Sequence, residues 1–144
     1  MKIYVAGPFF NKQERDSLTD MIKEIQEQFP SADLFIPMCH EIPNAFQLPN
    51  EIWAKKVFEM DVEAINDVDM VIAMYTGHYS DTGTVWEMGY AYSKGIPVIG
   101  YIPEWAEPYD MSLMVINCFS GLLDVKSHSI KTLCSDICKY MNQK

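Results

Sequence analysis

No apolar run in this chain of 144 residues approaches the roughly 20 that a membrane-spanning helix requires. Basic residues are scarce: 11 Lys and Arg stand against 20 Asp and Glu, a formal net charge of −9. A nucleic-acid backbone or an anionic membrane surface would need a basic face, so the balance argues against both partners. A small neutral or cationic ligand is easier to accommodate. Pairs of the C-x-x-C kind are missing. Cys39, Cys118, Cys134 and Cys138 read as small buried hydrophobes in a reducing cytosol, which places the protein in the cytoplasm. The histidines, His40, His78 and His128, show no metal-ligand spacing. There is no Gly-rich phosphate loop, since "AGPFF" is not G-x-G-x-x-G. No linker, low-complexity stretch or repeat divides the chain, so one domain over 1–144 is expected. The apolar start of "MKIYVAGPFF" is too short for a signal peptide and reads as a first buried strand.

What is present alternates between two periods. "KIYVA" (2–6) is a strand stopped at Gly7-Pro8, and "DLFIP" is a short second one. Leu18, Met21, Ile22, Ile25 and Phe29 recur at helical spacing from Asn11 to Pro30. The polar, proline-bearing stretch from Met38 to Asn50 is a loop long enough to suggest a role at a site. Ile52, Val57, Met60, Ala64 and Ile65 mark a second helix over 51–66. "DMVIAMY" and "IPVIGYI" are buried strands, "GLLDV" is a weak last strand, and a helix with Ile130, Leu133, Ile137 and Met141 inward is expected over 127–144. This order predicts right-handed crossovers and a parallel α/β sheet. Ligands of such sheets bind at the carboxyl ends of the strands, where "AGPFFN", "TGHYSDTG" and "PEWAEPYDMSLM" collect.

Four polar residues converge on that edge: Tyr4 in the first strand, Asp61 before the third strand, Asp81 in the loop after it, and Glu87 at the start of the next helix. A helix N-terminus favours an anion, which would keep Glu87 ionised. That alone describes an ordinary first-turn acid. Gly83 and Gly89 beside it suggest close approach of a ligand or a packed strand. Asp81 and Thr82 are both candidate caps for one helix start, which leaves one of them for other work. Asp61 is flanked by Phe58, Val62 and Ile65, and burial there would raise its pKa. A protonated acid beside an ionised one is the pair that glycosidic-bond chemistry uses. Phe9, Phe10, Trp53, Phe58, Trp86 and Trp105 supply aromatic surface for a planar heterocycle.

On "KIYVAGPFFN", Asp61 with "DVDMVIAMY", "DTGTVWEMGYAYSKGIPVI" and "SLM", the chain resembles the nucleoside 2'-deoxyribosyltransferases over most of its length, fading after Gly121. The resemblance implies a flavodoxin-like, doubly wound sheet of about five parallel strands with helices on both faces. It implies transfer of a deoxyribosyl group from a 2'-deoxynucleoside to a free purine or pyrimidine base, with retention and with neither metal nor cofactor. It assigns Glu87 as the nucleophile at C1', Tyr4 as the residue holding it, Asp61 as the acid that protonates the leaving base, and Asp81 as a contact to base and sugar. Gly7, Phe10, Trp53, Phe58, Gly83, Ser112 and Met114 complete the expected substrate contacts. A homo-oligomer, commonly a hexamer, is implied, with each site completed by a neighbouring subunit.

Many members carry Asn-Leu-Met where this chain has Ser112-Leu113-Met114. That serine opens the alternative of an N-glycosidase acting on 5'-monophosphates, whose relatives set serines around the phosphate. Asp81 would repel a phosphate, and Arg15 falls too far along its helix to help, which favours a free nucleoside. Hydrolysis of the same bond, or a non-catalytic nucleotide-binding module on the same scaffold, are the other readings.

Overall fold

The computed structural model describes residues 1–106 and 112–124. Five strands, β1 (Lys2–Ala6), β2 (Asp33–Phe35), β3 (Met70–Met74), β4 (Val98–Ile102) and β5 (Gly121–Asp124), form one sheet in the order β2-β1-β3-β4-β5. Every neighbouring pair is parallel, with Ile3 opposite Met70 and Val71 opposite Val98. The helices between them are α1 (Lys12–Gln28), α2 (Asn50–Asn66), α3 (Thr82–Ser93) and the short α4 (Leu113–Ile116). The expected doubly wound α/β fold is therefore what the chain adopts.

Strand alternation explains the two-faced core. On β1, Ile3 and Val5 join Leu18, Met21, Ile22 and Ile25 of α1, while Tyr4 and Ala6 join Ile65 of α2 and Met88 and Ala91 of α3. Neighbouring residues of one strand thus serve opposite layers. At the start of α1, Asn11 accepts from the Glu14 amide while the Glu14 carboxylate accepts from the Asn11 amide, so both ends of this capping box are closed.

Several expectations need correcting. In α2 only Ile65 is buried, and Ile52, Trp53 and Phe58 of the same helix are exposed. The helical spacing over 51–66 marks the helix, but only its C-terminal end reaches the core. The loop after β3 is shorter than its sequence suggests: Asp81 is the N-cap of α3, so Glu87 lies in the second helical turn rather than the first. The loop over 38–50 contains two single turns of 3-10 helix, Pro37–Cys39 and Ala45–Gln47. The helix expected over 127–144, with His128, Cys134 and Cys138, lies outside the described residues.

Candidate active site

Beyond β1 the chain turns at Gly7. A Cβ there would meet Leu18 Cδ1 at 3.0 Å and Met74 Cβ at 3.2 Å, so α1 and β3 close over a residue with no side chain. This turn, the loop over 37–47 after β2, the middle of α2 and the start of α3 wall a cavity of about 940 Å³ at the carboxyl edge of the sheet. Gly7, Phe10, Trp53, Asp61, Asp81, Gly83 and Glu87 all line it.

Tyr4 is fully buried, and its hydroxyl donates to Glu87 Oε1 at 2.7 Å. One strand and one helix, 83 positions apart in sequence, thereby fix the carboxyl group. Burial pushes Glu87 up to about 7; the Tyr4 hydrogen bond opposes this, and the charges of Asp61 and Asp81 add to it. The helix N-terminus therefore does not hold Glu87 low, and the carboxyl lies above its ordinary range. The dipole acts within the first turn, Glu87 sits beyond it, and desolvation dominates. Burial and the negative charge of Glu87 likewise raise the Tyr4 phenol, which stays protonated and a donor.

Asp61 is half-buried. Its Oδ1 is buried without a hydrogen-bond partner among the described residues. Desolvation pushes this acid up to about 6, against a lowering influence of His40. The residue itself lines the cavity. Asp81 works as a cap: its Oδ2 accepts from the Thr84 amide at 2.8 Å and from the Thr84 hydroxyl at 3.1 Å. Thr82 therefore is not the cap. Gly83 is explained by Asp81, since a Cβ would lie 2.9 Å from Oδ2, whereas a Cβ on Gly89 would meet nothing within 4 Å. The close-approach reading of Gly89 does not hold.

The remaining expected contacts divide. Trp53 also lines a shallow apolar groove of about 450 Å³ with Phe58 and Trp86, and this groove shares Asp61 and Glu87 with the main cavity. Phe58 packs on Trp86, which stacks on Tyr90. Trp105 is elsewhere, its indole donating to Ser17 Oγ at 2.9 Å. Ser112 caps α4 and lines a separate pocket beside Thr82, while Leu113 and Met114 are each 82% exposed. Ser112 and Met114 therefore do not reach the cavity of their own chain.

Sequence reasoning flagged the loop from Met38 to Asn50 but not its individual residues. His40, Glu41 and Phe46 of that loop line the cavity, as does Met60 of α2. His40 stacks on Phe35, which stacks on Tyr4, at centroid distances of 4.1 and 5.4 Å. Its Nδ1 donates to the Ile36 carbonyl at 2.9 Å. Among the described residues, the cavity wall carries four carboxylates, Glu41, Asp61, Asp81 and Glu87, and no lysine or arginine. Arg15 is turned away, its guanidinium donating to the Phe9 carbonyl at 3.0 Å.

A flavodoxin-like domain with two perturbed acids and a tyrosine clamp at its ligand edge has the equipment of a glycosidic-bond enzyme. The model of the nucleoside 2-deoxyribosyltransferase family matches residues 3–131, and the chain belongs to that family. It is 23% identical over 111 residues to a nucleoside deoxyribosyltransferase of Lactobacillus leichmannii, covering 71% of this chain and 70% of that protein. A 2-deoxyribosyltransferase of Bacillus psychrosaccharolyticus superposes with a TM-score of 0.75 at 27% identity, over 92% of this chain and 96% of that one. The fold is also that of a CMP N-glycosidase of Clostridium botulinum, with a TM-score of 0.61 at 16% identity, over 92% and 98% of the two chains.

Proposed function

We propose that this protein is a nucleoside 2'-deoxyribosyltransferase that works through a covalent glutamyl intermediate. The observation that carries the proposal is the Tyr4–Glu87 hydrogen bond at 2.7 Å on the wall of the cavity that Asp61 also lines. In the first displacement a Glu87 carboxylate oxygen bonds to C1' as the C1'–N bond breaks, and the electron pair leaves with the base. Protonated Asp61 gives its proton to a ring nitrogen of that base. In the second, a nitrogen of the incoming base attacks C1', the C1'–O bond to Glu87 breaks, and the proton displaced from the base returns to Asp61. Two inversions at one carbon retain the configuration. Tyr4 occupies Oε1 and leaves Oε2 for the attack.

The same first step followed by attack of water would make the protein an N-glycosidase. A 5'-monophosphate is the poorer substrate on this wall, since four carboxyl groups line the cavity and no described lysine or arginine joins them to offset a dianion. A non-catalytic module would have no use for two acids raised by burial. Incubation with thymidine and adenine separates the readings. Deoxyadenosine and thymine are expected. Free deoxyribose as the sole sugar product would establish the hydrolase, and failure to turn over any deoxynucleoside or monophosphate would leave the binding module.

We also propose that a second copy of the chain completes the site. Trp53, Phe58 and Trp86 are each about half exposed around the groove that opens onto Glu87. Leu113 and Met114 project from α4 with no role in their own chain's cavity. Apolar surface of this kind marks an interface, and a cytoplasmic homo-oligomer taking free nucleosides and bases accounts for it. A monomer by analytical ultracentrifugation at assay concentration would remove this element.

A further inference from the structure

On the transferase reading, three of the four cavity carboxylates have work. Glu87 attacks, Asp61 carries the proton, and Asp81 caps α3. Glu41 does not. It is exposed, follows His40 on the loop over 37–47, and no hydrogen bond or ion pair of it is among those described. The other side-chain groups that this wall offers a ligand are also weighted to one kind. The four acids, when ionised, accept, whereas the donors are the Asn44 amide, the Trp53 indole and the Thr82 hydroxyl; the Thr84 hydroxyl is spent on Asp81. Such a wall binds molecules that donate.

The two free hydroxyls of a deoxyribose can donate, but they are the same in every substrate. The base is where substrates differ. It must sit against Asp61, which protonates it. Glu41 lines the same cavity as Asp61. We infer that this cavity selects nucleobases bearing an exocyclic amino group over their oxo counterparts, and that Glu41 is the residue that reads the difference. An amino group donates to the carboxylate. When the acid meets the exocyclic group from the side away from the neighbouring ring nitrogen, an oxo base offers it no N–H and turns a carbonyl oxygen toward it, and the two acceptors repel.

The inference rests on the site of the transferase reading and is tested so that the two can fail separately. One deoxynucleoside donor is given adenine and hypoxanthine in equal amounts, and in a parallel reaction cytosine and uracil. A hydrogen bond to a charged group predicts a product ratio favouring the amino base by about tenfold or more. Glu41→Gln, whose amide both donates and accepts, is expected to bring that ratio to within about threefold of unity. Titration calorimetry with deoxyadenosine and deoxyinosine reads the same preference without turnover, and circular dichroism checks that the variant is folded. A wild-type ratio near one, or a ratio that Glu41→Gln leaves intact, overturns the inference while exchange itself continues. Preferential binding of deoxyadenosine with no exchange would support the inference and overturn the transferase.

Discussion

Replacing Glu87 by glutamine is expected to abolish base exchange and, at the same time, to make the protein more stable at alkaline pH. Glutamine keeps the shape and the oxygen that accepts from Tyr4, but it has no charge. In the folded protein the Glu87 carboxyl is raised from an ordinary 4.5 to about 7, chiefly by burial. The fold therefore holds this proton more tightly than the unfolded chain does. Stability owed to that preference is intact below pH 4.5 and is lost as pH rises through 7. At 1.36 kcal/mol per pH unit, the cost of carrying the buried anion reaches about 3 kcal/mol by pH 8 and is under about 1 kcal/mol at pH 5. Urea unfolding of both proteins across pH 5 to 8 is the assay. The advantage of Glu87→Gln should grow by about 2 kcal/mol over that range, with a Tm gain on the order of 5–10 °C at the upper end. A difference that does not vary with pH, or a variant less stable than wild type at pH 8, would refute the claim that Glu87 is held against its own desolvation. Retained exchange would remove it as the nucleophile.

Three further outcomes follow from the same geometry. Tyr4→Phe deletes the hydrogen bond that lowers the Glu87 pKa. The alkaline limb of kcat/KM should move to higher pH, because Glu87 sets the higher of the pair's two apparent values, and the rate at neutral pH should fall by about ten- to a hundredfold; an unmoved alkaline limb would show that the tyrosine is only packing. The exchange reaction needs Glu87 ionised and Asp61 protonated, and with these groups at about 7 and about 6 the pair should give a bell centred near pH 6.5. Asp61→Asn should erase the alkaline limb and slow poor leaving bases most, which a profile over several donors measures. Gly83→Ala forces a Cβ to 2.9 Å from the capping Asp81 oxygen. The loss of about 1 kcal/mol from a disturbed cap is offset by a similar gain in helix propensity, so Tm should hardly change while KM for the nucleoside rises; a large drop in Tm with KM unchanged would contradict this.

The layout of the fold was legible because period and punctuation agree. "KIYVA" and "DMVIAMY" are too short and too β-rich to be helices, Pro30 closes α1, and the Asn11–Glu14 box opens it. The acids were legible as a set, because Asp61, Asp81 and Glu87 flank strands whose carboxyl ends must meet at one edge. Their states were not. Reading Glu87 as a first-turn acid predicts a carboxyl held low, and finding it one turn deeper and buried raises it instead. The α2 stripe failed for a related reason. Helical spacing marks a face as apolar, and Ile52, Trp53 and Phe58 show that an apolar face can be left exposed beside a site. Trp105 and Trp53 look alike in sequence, yet one is tied to Ser17 and the other lines the cavity.

From the order of residues alone came the alternation of strands and helices, the acidic character that turns polyanions away, and the three carboxyl groups at the ligand edge, all of which depend on composition and short-range spacing. Only the packed chain decided that Tyr4 meets Glu87, that Asp61 keeps an oxygen without a partner, and that Glu41 and His40 face the same space. Those facts depend on which loops close over which strands and on how much water they displace, and a carboxyl group's proton affinity is set by that displaced water rather than by its neighbours in sequence.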